Sequence, residues 1–306
     1  MKDFISISDC GAGQMQHFLD VALELRLERK EKGFNEPMLR GQSLAMIFEK
    51  PSLRTKVSFE QAMYHLGGQS ILLGQEIGLG QRESPADVAK VLEGMVDGIM
   101  ARVFEHEKLT EMAEAVDIPV INALSDYSHP CQALADVMTM MDEFGSQIRG
   151  RKMVYVGDGN NVTRSLAWAC AYLGVNFVSC SPSGYEIEDA FIAELSERFS
   201  DVKITKESDP MRGVQGADAI YTDTWVSMGQ EEEKAKRLAA FEGYQVNQAL
   251  VNQGSDRAIV LHCLPAYRGI EITDEVIDGG QSRVFAQAHN RLHAQKGVLA
   301  VLMGGR

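Results

Sequence analysis

The sequence predicts an α/β protein with two domains, each a parallel sheet flanked by helices, and an active site in the cleft between the domains. The chain has 306 residues, enough for about two domains of ordinary size. Short, continuously apolar runs alternate with helix-length segments along the chain, which is typical of parallel strands covered on both faces. The runs fall into two series separated near residues 130–150, and such sheets bind ligands beyond the carboxyl ends of their strands.

Each element follows from its apolar pattern. Residues 14–32 carry the pattern of an amphipathic helix. The first series of predicted strands covers residues 44–48, 70–73, 98–101 and 118–121, and residues 131–144 form one helix that joins the halves. The second series covers residues 151–159, 175–180, 217–222, 258–265 and 282–285, and residues 290–303 form the last helix. We therefore expect one domain over residues 1–135, joined by the C-terminal helix 288–303, and a second domain over residues 136–287.

The composition narrows the classes of function. A net charge of −13 disfavours nucleic-acid binding, which needs a basic surface, although it leaves room for a local cationic pocket. No stretch approaches roughly 18 apolar residues, and the N-terminus lacks the apolar core of a secretory signal, so we expect no membrane span. The five cysteines show no metal-binding spacing and fit reduced thiols in the cytoplasm, and we predict neither a metal nor a cofactor.

The stretch "FEKPSLRTKVSFE" (48–60) places cations where a helix disfavours them. Pro51 ends the preceding strand, Ser52 is a good N-cap, and Arg54 falls in the first helical turn. The helix N-terminus already carries a partial positive charge, so helix stability alone would favour Asp or Glu there. Backbone N–H groups, the hydroxyls of Ser52 and Thr55 and the Arg54 guanidinium together suggest a phosphate or carboxylate site. The alternative is a capped helix with solvated surface cations.

Further polar residues follow predicted strands of the first series or lie beyond "HCLPAY" in the second. Arg102, His129 and Arg268 stand at such positions, where an α/β site is built, although each alone is also typical of a surface. "HPCQALAD" (129–136) spaces His129, Gln132 and Asp136 at i, i+3 and i+7, on one face of a helix. A His and a Gln side by side can hydrogen-bond a carbonyl oxygen and an amide. The alternative is a purely structural role in the first turn of a helix, where Pro is common.

Three segments of the second series carry candidate ligand contacts. "VYVGDGNN" (154–161) lacks the third glycine of a dinucleotide-binding turn, and its paired asparagines better suit a small polar ligand. Asp223 ends a strand, where it could meet an ammonium group, and the loop at 227–229 could close over a ligand. Cys263 is either a small buried residue or a thiol in the cleft. Its neighbour His262 points to the opposite face, so we do not expect a nucleophilic cysteine.

Four motifs, "FEKPSLRT", "HPCQALAD", "DTWVSMGQEEE" and "HCLPAYRG", in this order and spacing resemble the aspartate/ornithine carbamoyltransferase family, and the last three resemble its ornithine branch. The resemblance runs from about residue 4 to residue 303. It implies transfer of the carbamoyl group from carbamoyl phosphate to the side-chain amine of L-ornithine, giving L-citrulline and phosphate in arginine biosynthesis. It also implies direct attack without a covalent enzyme intermediate or a cofactor, in a cytoplasmic homotrimer or a multiple of trimers.

The resemblance assigns residues to each substrate. The carbamoyl phosphate contacts that it implies are Ser52, Leu53 (through its backbone), Arg54, Thr55, Arg102, His129, Gln132, Cys263, Leu264 and Arg291. The ornithine contacts that it implies are Asn161, Asp223, Ser227 and Met228. The residues expected to act in catalysis are Arg54, Arg102, His129, Gln132 and Cys263. The first four bind the carbamoyl phosphate or stabilise the tetrahedral oxyanion, and Cys263 helps to position the amine.

Two positions depart from the family pattern. Leu53 replaces the usual Thr, which removes a hydroxyl donor. Gly78 stands where many relatives carry a Gln that reaches a neighbouring subunit's site, and Gln81 or Arg82 could take its place. Three alternatives stay open: a different amine acceptor such as putrescine or an N-acylated ornithine, a nucleotide-dependent oxidoreductase, and a non-catalytic binding protein or catalytically inactive homologue.

Overall fold

The computed structural model describes residues 1–227 and 229–306, without the side chain of Glu231. Within these residues the chain divides into two compact units. Unit 1 comprises Met1–Ala135 and His289–Arg306, and unit 2 comprises Asp136–Ala288. Each unit contains one sheet of parallel strands with helices beside it, which confirms the predicted α/β fold class.

Unit 1 is built on a four-stranded sheet in the order β2-β1-β3-β4. Its strands are β1 (Ser43–Phe48), β2 (Gln69–Leu73), β3 (Gly98–Arg102) and β4 (Val120–Leu124), and its helices are α1 (Gly11–Lys32), α2 (Leu53–His65), α3 (Pro85–Glu93) and α4 (Glu107–Ala115). Apolar side chains of β1, β3 and β4 form a core with α3 and α4. The chain runs from β1 to β2 on one side and to β3 and β4 on the other, so the direction of winding switches between β1 and β3. Helix α5 (Pro130–Phe144) begins in this unit and ends in unit 2.

Unit 2 is built on a five-stranded sheet in the order β7-β6-β5-β8-β9. Its strands are β5 (Lys152–Val156), β6 (Asn176–Cys180), β7 (Ile204–Glu207), β8 (Ala219–Thr222) and β9 (Ile259–His262), and its helices are α6 (Asn161–Leu173), α7 (Asp189–Arg198), α8 (Pro210–Gly213), α9 (Lys234–Ala240), α10 (Gln248–Val251) and α11 (Asp274–Ile277). Here the winding switches between β5 and β8. Helix α12 (Val284–Leu302) begins in this unit and ends in unit 1. Among the helices of the described residues, none is both long and apolar enough to cross a membrane.

The predicted strand at residues 282–285 is wrong. Ser282 forms an isolated bridge to Val260, and α12 already begins at Val284. A run of four residues with two apolar side chains does not distinguish a strand from the first turn of a helix. The sheet instead gains β7, which the sequence did not indicate because only Ile204 of its four residues is buried. Such a polar composition is common in an edge strand, which β7 is.

Helix α12 lies very close to α1 within unit 1. A Cβ atom on Gly297 would stand 2.6 Å from the carbonyl oxygen of Phe18, so this approach of the two helices requires a glycine. The side chain of Lys296 is fully buried, and its Nζ donates a hydrogen bond of 2.7 Å to Oδ1 of Asn35. These contacts fix the position of α12, which also carries Arg291.

Candidate active site

Helix α2 begins directly after β1, at the point where the winding of unit 1 switches. Ser52 is its N-cap, as predicted, and its hydroxyl accepts a hydrogen bond of 3.3 Å from the backbone N–H of Thr55. Thr55 is fully buried, whereas the side chain of Leu53 is 73% exposed. Leu53 therefore offers its backbone N–H at the helix end. Its side chain points outward, so the substitution of Thr by Leu removes a hydroxyl only from an outward-facing side chain.

A cluster of basic groups lies beside this helix end. The imidazole of His129 is buried just before α5, and its pKa is lowered well below the ordinary value. Burial is the main cause, and the charges of Arg291, Arg102, Arg54 and Lys50 add to it. The four cationic side chains around a neutral histidine form a site that attracts an anion, because nearby cations stabilise negative charge in a buried setting.

Arg291 joins three helices within unit 1. Its Nη1 donates a hydrogen bond of 2.7 Å to Oε1 of Gln132 on α5, and its Nη2 donates one of 3.2 Å to the hydroxyl of Thr55 on α2. Residues that are 236 positions apart in sequence thus meet at one place. The structure brings the predicted carbamoyl phosphate residues of unit 1 together, whereas Cys263 and Leu264 belong to unit 2.

The sequence reasoning missed Lys50. Burial, followed by the charge of Arg102, lowers the pKa of its amine to about 8. The Nζ atom lies 4.2 Å from the ring centroid of Phe104, a cation–π distance. Phe104 is held in turn through its backbone N–H, which donates 2.8 Å to Oε2 of Glu49. The available signal was the position of Lys50 between a buried strand and Pro51, at the carboxyl end of β1.

Gly78 follows the 3-10 turn Gln75–Ile77 and has a left-handed backbone with φ of 62°. A Cβ atom there would lie 2.8 Å from Cδ and Cγ of Arg82. The local turn therefore explains the glycine, because a left-handed conformation disfavours other residues. The participation of Gln81 or Arg82 in another subunit's site stays a prediction.

In unit 2, Asp223 and Cys263 meet at the carboxyl ends of two neighbouring strands. Asp223 follows β8 and Cys263 follows β9, and the thiol of Cys263 donates a hydrogen bond of 2.8 Å to Oδ1 of Asp223. Asp223 is almost fully buried. A thiol whose proton is shared with a carboxylate is poorly suited to attack as a thiolate, and it is well suited to orient a neighbouring polar group.

The sequence predicted that His262 and Cys263 point to opposite faces, but the structure brings the two side chains close together, and both ring nitrogens of His262 have partners. Its Nε2 lies 3.1 Å from Oε1 of Glu271, and its Nδ1 accepts a hydrogen bond of 2.8 Å from the backbone N–H of Leu264. One atom each of Asp223, His262 and Cys263 lie within 4.8 Å of one another, as in a metal site. Both ring nitrogens of His262 already have partners, so this trio does not suit a metal. Leu264 itself has a positive φ of 59°, a strained conformation of the kind found at functional sites.

Asp136 shares a helix face with His129 and Gln132 in the sequence, but it belongs to unit 2. Its buried Oδ1 accepts a hydrogen bond of 2.6 Å from Nε2 of Gln287. The Oε1 atom of Gln287 accepts one of 2.8 Å from the backbone N–H of His262. Asp136 therefore supports the end of β9, and Gln287 is a second residue that the sequence reasoning missed.

The glycine-rich turn after β5 is explained by packing. A Cβ atom on Gly159 would lie 2.3 Å from the backbone nitrogen of Ile187, so the glycine allows two backbone segments to touch. Asn160 caps α6, and its Oδ1 accepts from the backbone N–H groups of the second and third helical residues. Asn161 is the first residue of α6, beside the switch between β5 and β8. Packing thus accounts for Gly159 without a bound dinucleotide.

The remaining candidates differ in their placement. The backbone N–H of Ser227 donates a hydrogen bond of 3.0 Å to Oε1 of Gln230, in the loop that follows Asp223. Met228, the fourth predicted ornithine contact, lies outside the described residues. Arg268 pairs with Asp274 at 2.8 Å and with Asp278 at 2.6 Å on the surface of unit 2.

Comparison with known proteins places this geometry in a family. Residues 2–142 match the model "Aspartate/ornithine carbamoyltransferase, carbamoyl-P binding domain" and residues 149–302 match the model "Aspartate/ornithine carbamoyltransferase, Asp/Orn binding domain". The second match includes all of α12, although His289–Arg306 belongs to unit 1.

Similar proteins cover the whole chain. An ornithine carbamoyltransferase from Methanocorpusculum labreanum is 48% identical over 303 residues, which are 99% of this chain and 98% of that protein. The solved ornithine carbamoyltransferase from Pyrococcus furiosus has a TM-score of 0.95 at 46% identity, covering 100% of this chain and 98% of that chain. The one from Thermus thermophilus has a TM-score of 0.88 at 42% identity, covering 99% of each chain. The chain therefore belongs to the aspartate/ornithine carbamoyltransferase family.

Proposed function

We propose that this chain transfers the carbamoyl group of carbamoyl phosphate to the side-chain amine of L-ornithine, giving L-citrulline and phosphate in arginine biosynthesis. The observation that carries the proposal is the buried, neutral His129 among the charges of Arg54, Arg102, Arg291 and Lys50. Such a cluster suits a phosphorylated substrate whose uncharged carbamoyl end needs a hydrogen-bond donor. The names of the relatives, one of which is described as anabolic, support the same reaction.

Carbamoyl phosphate is assigned to unit 1, as the domain of residues 1–135 and 288–303. The N-terminus of α2, with Ser52, Leu53, Arg54 and Thr55, would bind the phosphate through backbone N–H groups, hydroxyls and a guanidinium. Arg102 and Arg291 would add charge, and His129 and Gln132 would bind the carbamoyl group. The backbone at Cys263 and Leu264 is assigned to the same substrate.

Ornithine is assigned to the domain of residues 136–287. Asn161 stands at the first turn of α6 and Asp223 at the end of β8, on the two sides of the winding switch. Ligands of open parallel sheets bind at such a switch. Ser227 and Met228 are assigned to the amino-acid end of ornithine.

The chemistry needs positioning and electrostatic stabilisation rather than a covalent intermediate. A lysine-like amine has a reference pKa of about 10.4, so only about 0.1% of it is neutral near pH 7.4. A carboxylate such as Asp223 favours the charged form of a neighbouring amine, so its role is to bind or orient ornithine. The neutral amine attacks the carbamoyl carbon, and Arg54, Arg102 and His129 stabilise the oxyanion until phosphate leaves.

We assign the enzyme to the cytoplasm, as a homotrimer or a multiple of trimers. All five cysteines are free thiols, as is common in a reducing compartment. Unit 1 exposes apolar side chains on α2 and on the edge strand β2, namely Leu53, Val57, Tyr64, Ile71 and Leu72. An exposed apolar edge of this kind is commonly covered by another subunit. Sedimentation equilibrium should give a multiple of three 33.7 kDa chains, and Leu72→Glu should dissociate them.

An acceptor panel tests the reaction. The purified chain is incubated with carbamoyl phosphate and, separately, with L-ornithine, N-acetylornithine, putrescine or L-aspartate, and the ureido or carbamoyl product is measured. We expect L-ornithine to exceed N-acetylornithine in kcat/KM by up to about 10⁴-fold, because acylation leaves buried polar groups without partners. A comparable value for any other acceptor would overturn the assignment of ornithine.

A further inference from the structure

One buried arginine ties together the two loops at the winding switch of unit 2. Nη1 of Arg237 donates 2.6 Å to Oδ2 of Asp158 and 3.3 Å to the carbonyl oxygen of Trp225, and its Nε donates 3.0 Å to Glu233. The guanidinium carbon also lies 5.0 Å from the ring centroid of Tyr185. Only 7% of Arg237 is exposed, so these contacts are held in a setting where charge pairing is strong.

The two loops are those that carry the assigned ornithine contacts. Asp158 follows β5 and stands three residues before Asn161, while Trp225 lies between Asp223 and Ser227. The guanidinium therefore sets the spacing of the loop after β5 relative to the loop after β8. Loss of this bridge would let the contacts with the acceptor move apart.

Arg237 also sets the charge of this region. Asp158 is partly buried, and desolvation is the main cause that raises its pKa. The negative charge of Asp223 adds to this rise, while Arg237 opposes it. After burial, the charges of Asp223 and Asp158 also help to raise the pKa of the Tyr155 hydroxyl on β5. Because Arg237 pairs with Asp158, Asp223 is better placed than Asp158 to meet a cationic substrate group.

This balance matters because the possible acceptors differ in charge. L-Ornithine carries an α-carboxylate and an α-ammonium beside its reacting amine, whereas a diamine such as putrescine has no carboxylate. A second uncompensated carboxylate three residues from Asn161 would repel the ornithine carboxylate and attract a diamine. Opposed charges of this kind commonly determine specificity by rejecting the wrong partner.

We propose that Arg237 is a positioning residue that determines acceptor specificity: by pairing with Asp158 and with the Trp225 carbonyl, it makes the site select an α-amino acid over a diamine. The proposal rests on the assignment of this region to ornithine. Arg237 itself contacts neither substrate and acts through the two loops and through the charge of Asp158.

The test compares Arg237→Gln, Arg237→Lys and the wild type with L-ornithine and with putrescine, at saturating carbamoyl phosphate. For Arg237→Gln we expect KM for ornithine to rise at least about tenfold with a much smaller change in kcat. The ratio of kcat/KM for ornithine to that for putrescine should also fall at least about tenfold. Arg237→Lys keeps the charge and should restore much of that ratio. Arg149→Gln, which removes an exposed pair of 2.6 Å with Asp201 in the same unit, is the control and should match the wild type.

A second variant separates charge from folding. Arg237→Gln leaves Asp158 and the more exposed Glu233 without this partner. Asp158→Asn in the Arg237→Gln background removes the less exposed of these carboxylates, and it should restore the preference for ornithine over putrescine. If Arg237→Gln does not fold, the single variant Asp158→Asn replaces it and should keep the wild-type preference. An unchanged ratio in Arg237→Gln, no recovery in the double variant, or a reversed preference in Asp158→Asn would overturn the proposal. A wild type that carbamoylates no ornithine would instead contradict the proposed function.

Discussion

Arg54 stands in the first turn of α2, where a cation opposes the helix dipole. The structure places Arg102 and Arg291 around the neighbouring His129, as expected, and adds Lys50, which makes the electrostatic cost larger than the sequence indicates. A bound dianion removes this cost, because each guanidinium gains a charged hydrogen-bond partner. The residue is therefore better explained by a ligand than by the stability of the helix.

Arg54→Ala should weaken carbamoyl phosphate binding by about 2–5 kcal/mol, because it removes a charge-assisted pair in a partly desolvated site. Calorimetry with carbamoyl phosphate and with inorganic phosphate measures the loss. Arg40→Ala, which removes an exposed cation of the same unit, is the matched control. Equal affinities in the Arg54 variant and the wild type would mean that the phosphate does not bind at this helix end.

The affinity for carbamoyl phosphate should fall as pH rises through about 8. Burial and Arg102 lower the pKa of Lys50 to about 8, so its ammonium is present below this pH and lost above it. The bound anion favours the ammonium, and its loss therefore weakens binding at alkaline pH. His129 stays neutral across this range and contributes no step.

Lys50→Gln provides the comparison for this pH dependence. We expect weaker binding at pH 7 and a flat profile between pH 7 and 9, whereas Lys50→Arg should stay tight throughout because a guanidinium does not titrate there. Titration calorimetry at several pH values supplies the profiles. A Lys50→Gln profile as steep as that of the wild type would assign the pH dependence to another group.

At the scale of single residues, the sequence predicted those that stand in local motifs. Ser52 was identified as an N-cap because capping depends on residues within one helical turn. Lys50 and Arg237 were missed because their roles depend on partners far along the chain, such as Phe104 and Asp158. No local spacing encodes contacts of this kind.

At the scale of elements, helix α12 carries Arg291, which hydrogen-bonds to α2 and α5. The packing of α12 on α1 therefore controls the geometry of the anion site. The sequence predicted the helix itself from its length and composition. The close approach at Gly297 could not be predicted, because a glycine within a helix has the same sequence signature whether or not a neighbour touches it. The same limit applies to β7 and to residues 282–285, because the conformation of such short segments depends on their contacts with the rest of the protein.

Gly297→Ala should destabilise unit 1 by about 1–3 kcal/mol, because the added methyl group would press on the backbone of α1. Carbamoyl phosphate binding should weaken with it, since Arg291 would move. Gly13→Ala on α1 is the control: nothing lies within 4 Å of its Cβ position, and alanine is the better helix former. Thermal unfolding measures both variants, and a Gly297→Ala protein as stable as the wild type would mean that α12 can shift without cost.

At the scale of the whole molecule, the chain carries a net charge of −13 and yet concentrates cations around His129. The fold class could be predicted because two series of buried strands alternate with helices. In open parallel sheets ligands bind at the winding switch, and candidate polar residues lie beside the switch of each sheet. The charge balance of unit 2 could not, because it depends on which carboxylate a distant arginine neutralises. Overall charge and local charge are thus separate properties of this molecule.

The most direct test is a single turnover with the enzyme in excess over ¹³C-labelled carbamoyl phosphate and with L-ornithine present. The products and the intact protein are quenched and analysed together by mass spectrometry. Direct transfer predicts that the label passes to citrulline, with one phosphate released for each, while the protein mass stays unchanged. Labelled protein at Cys263, or release of phosphate without labelled citrulline, would contradict direct carbamoyl transfer to ornithine.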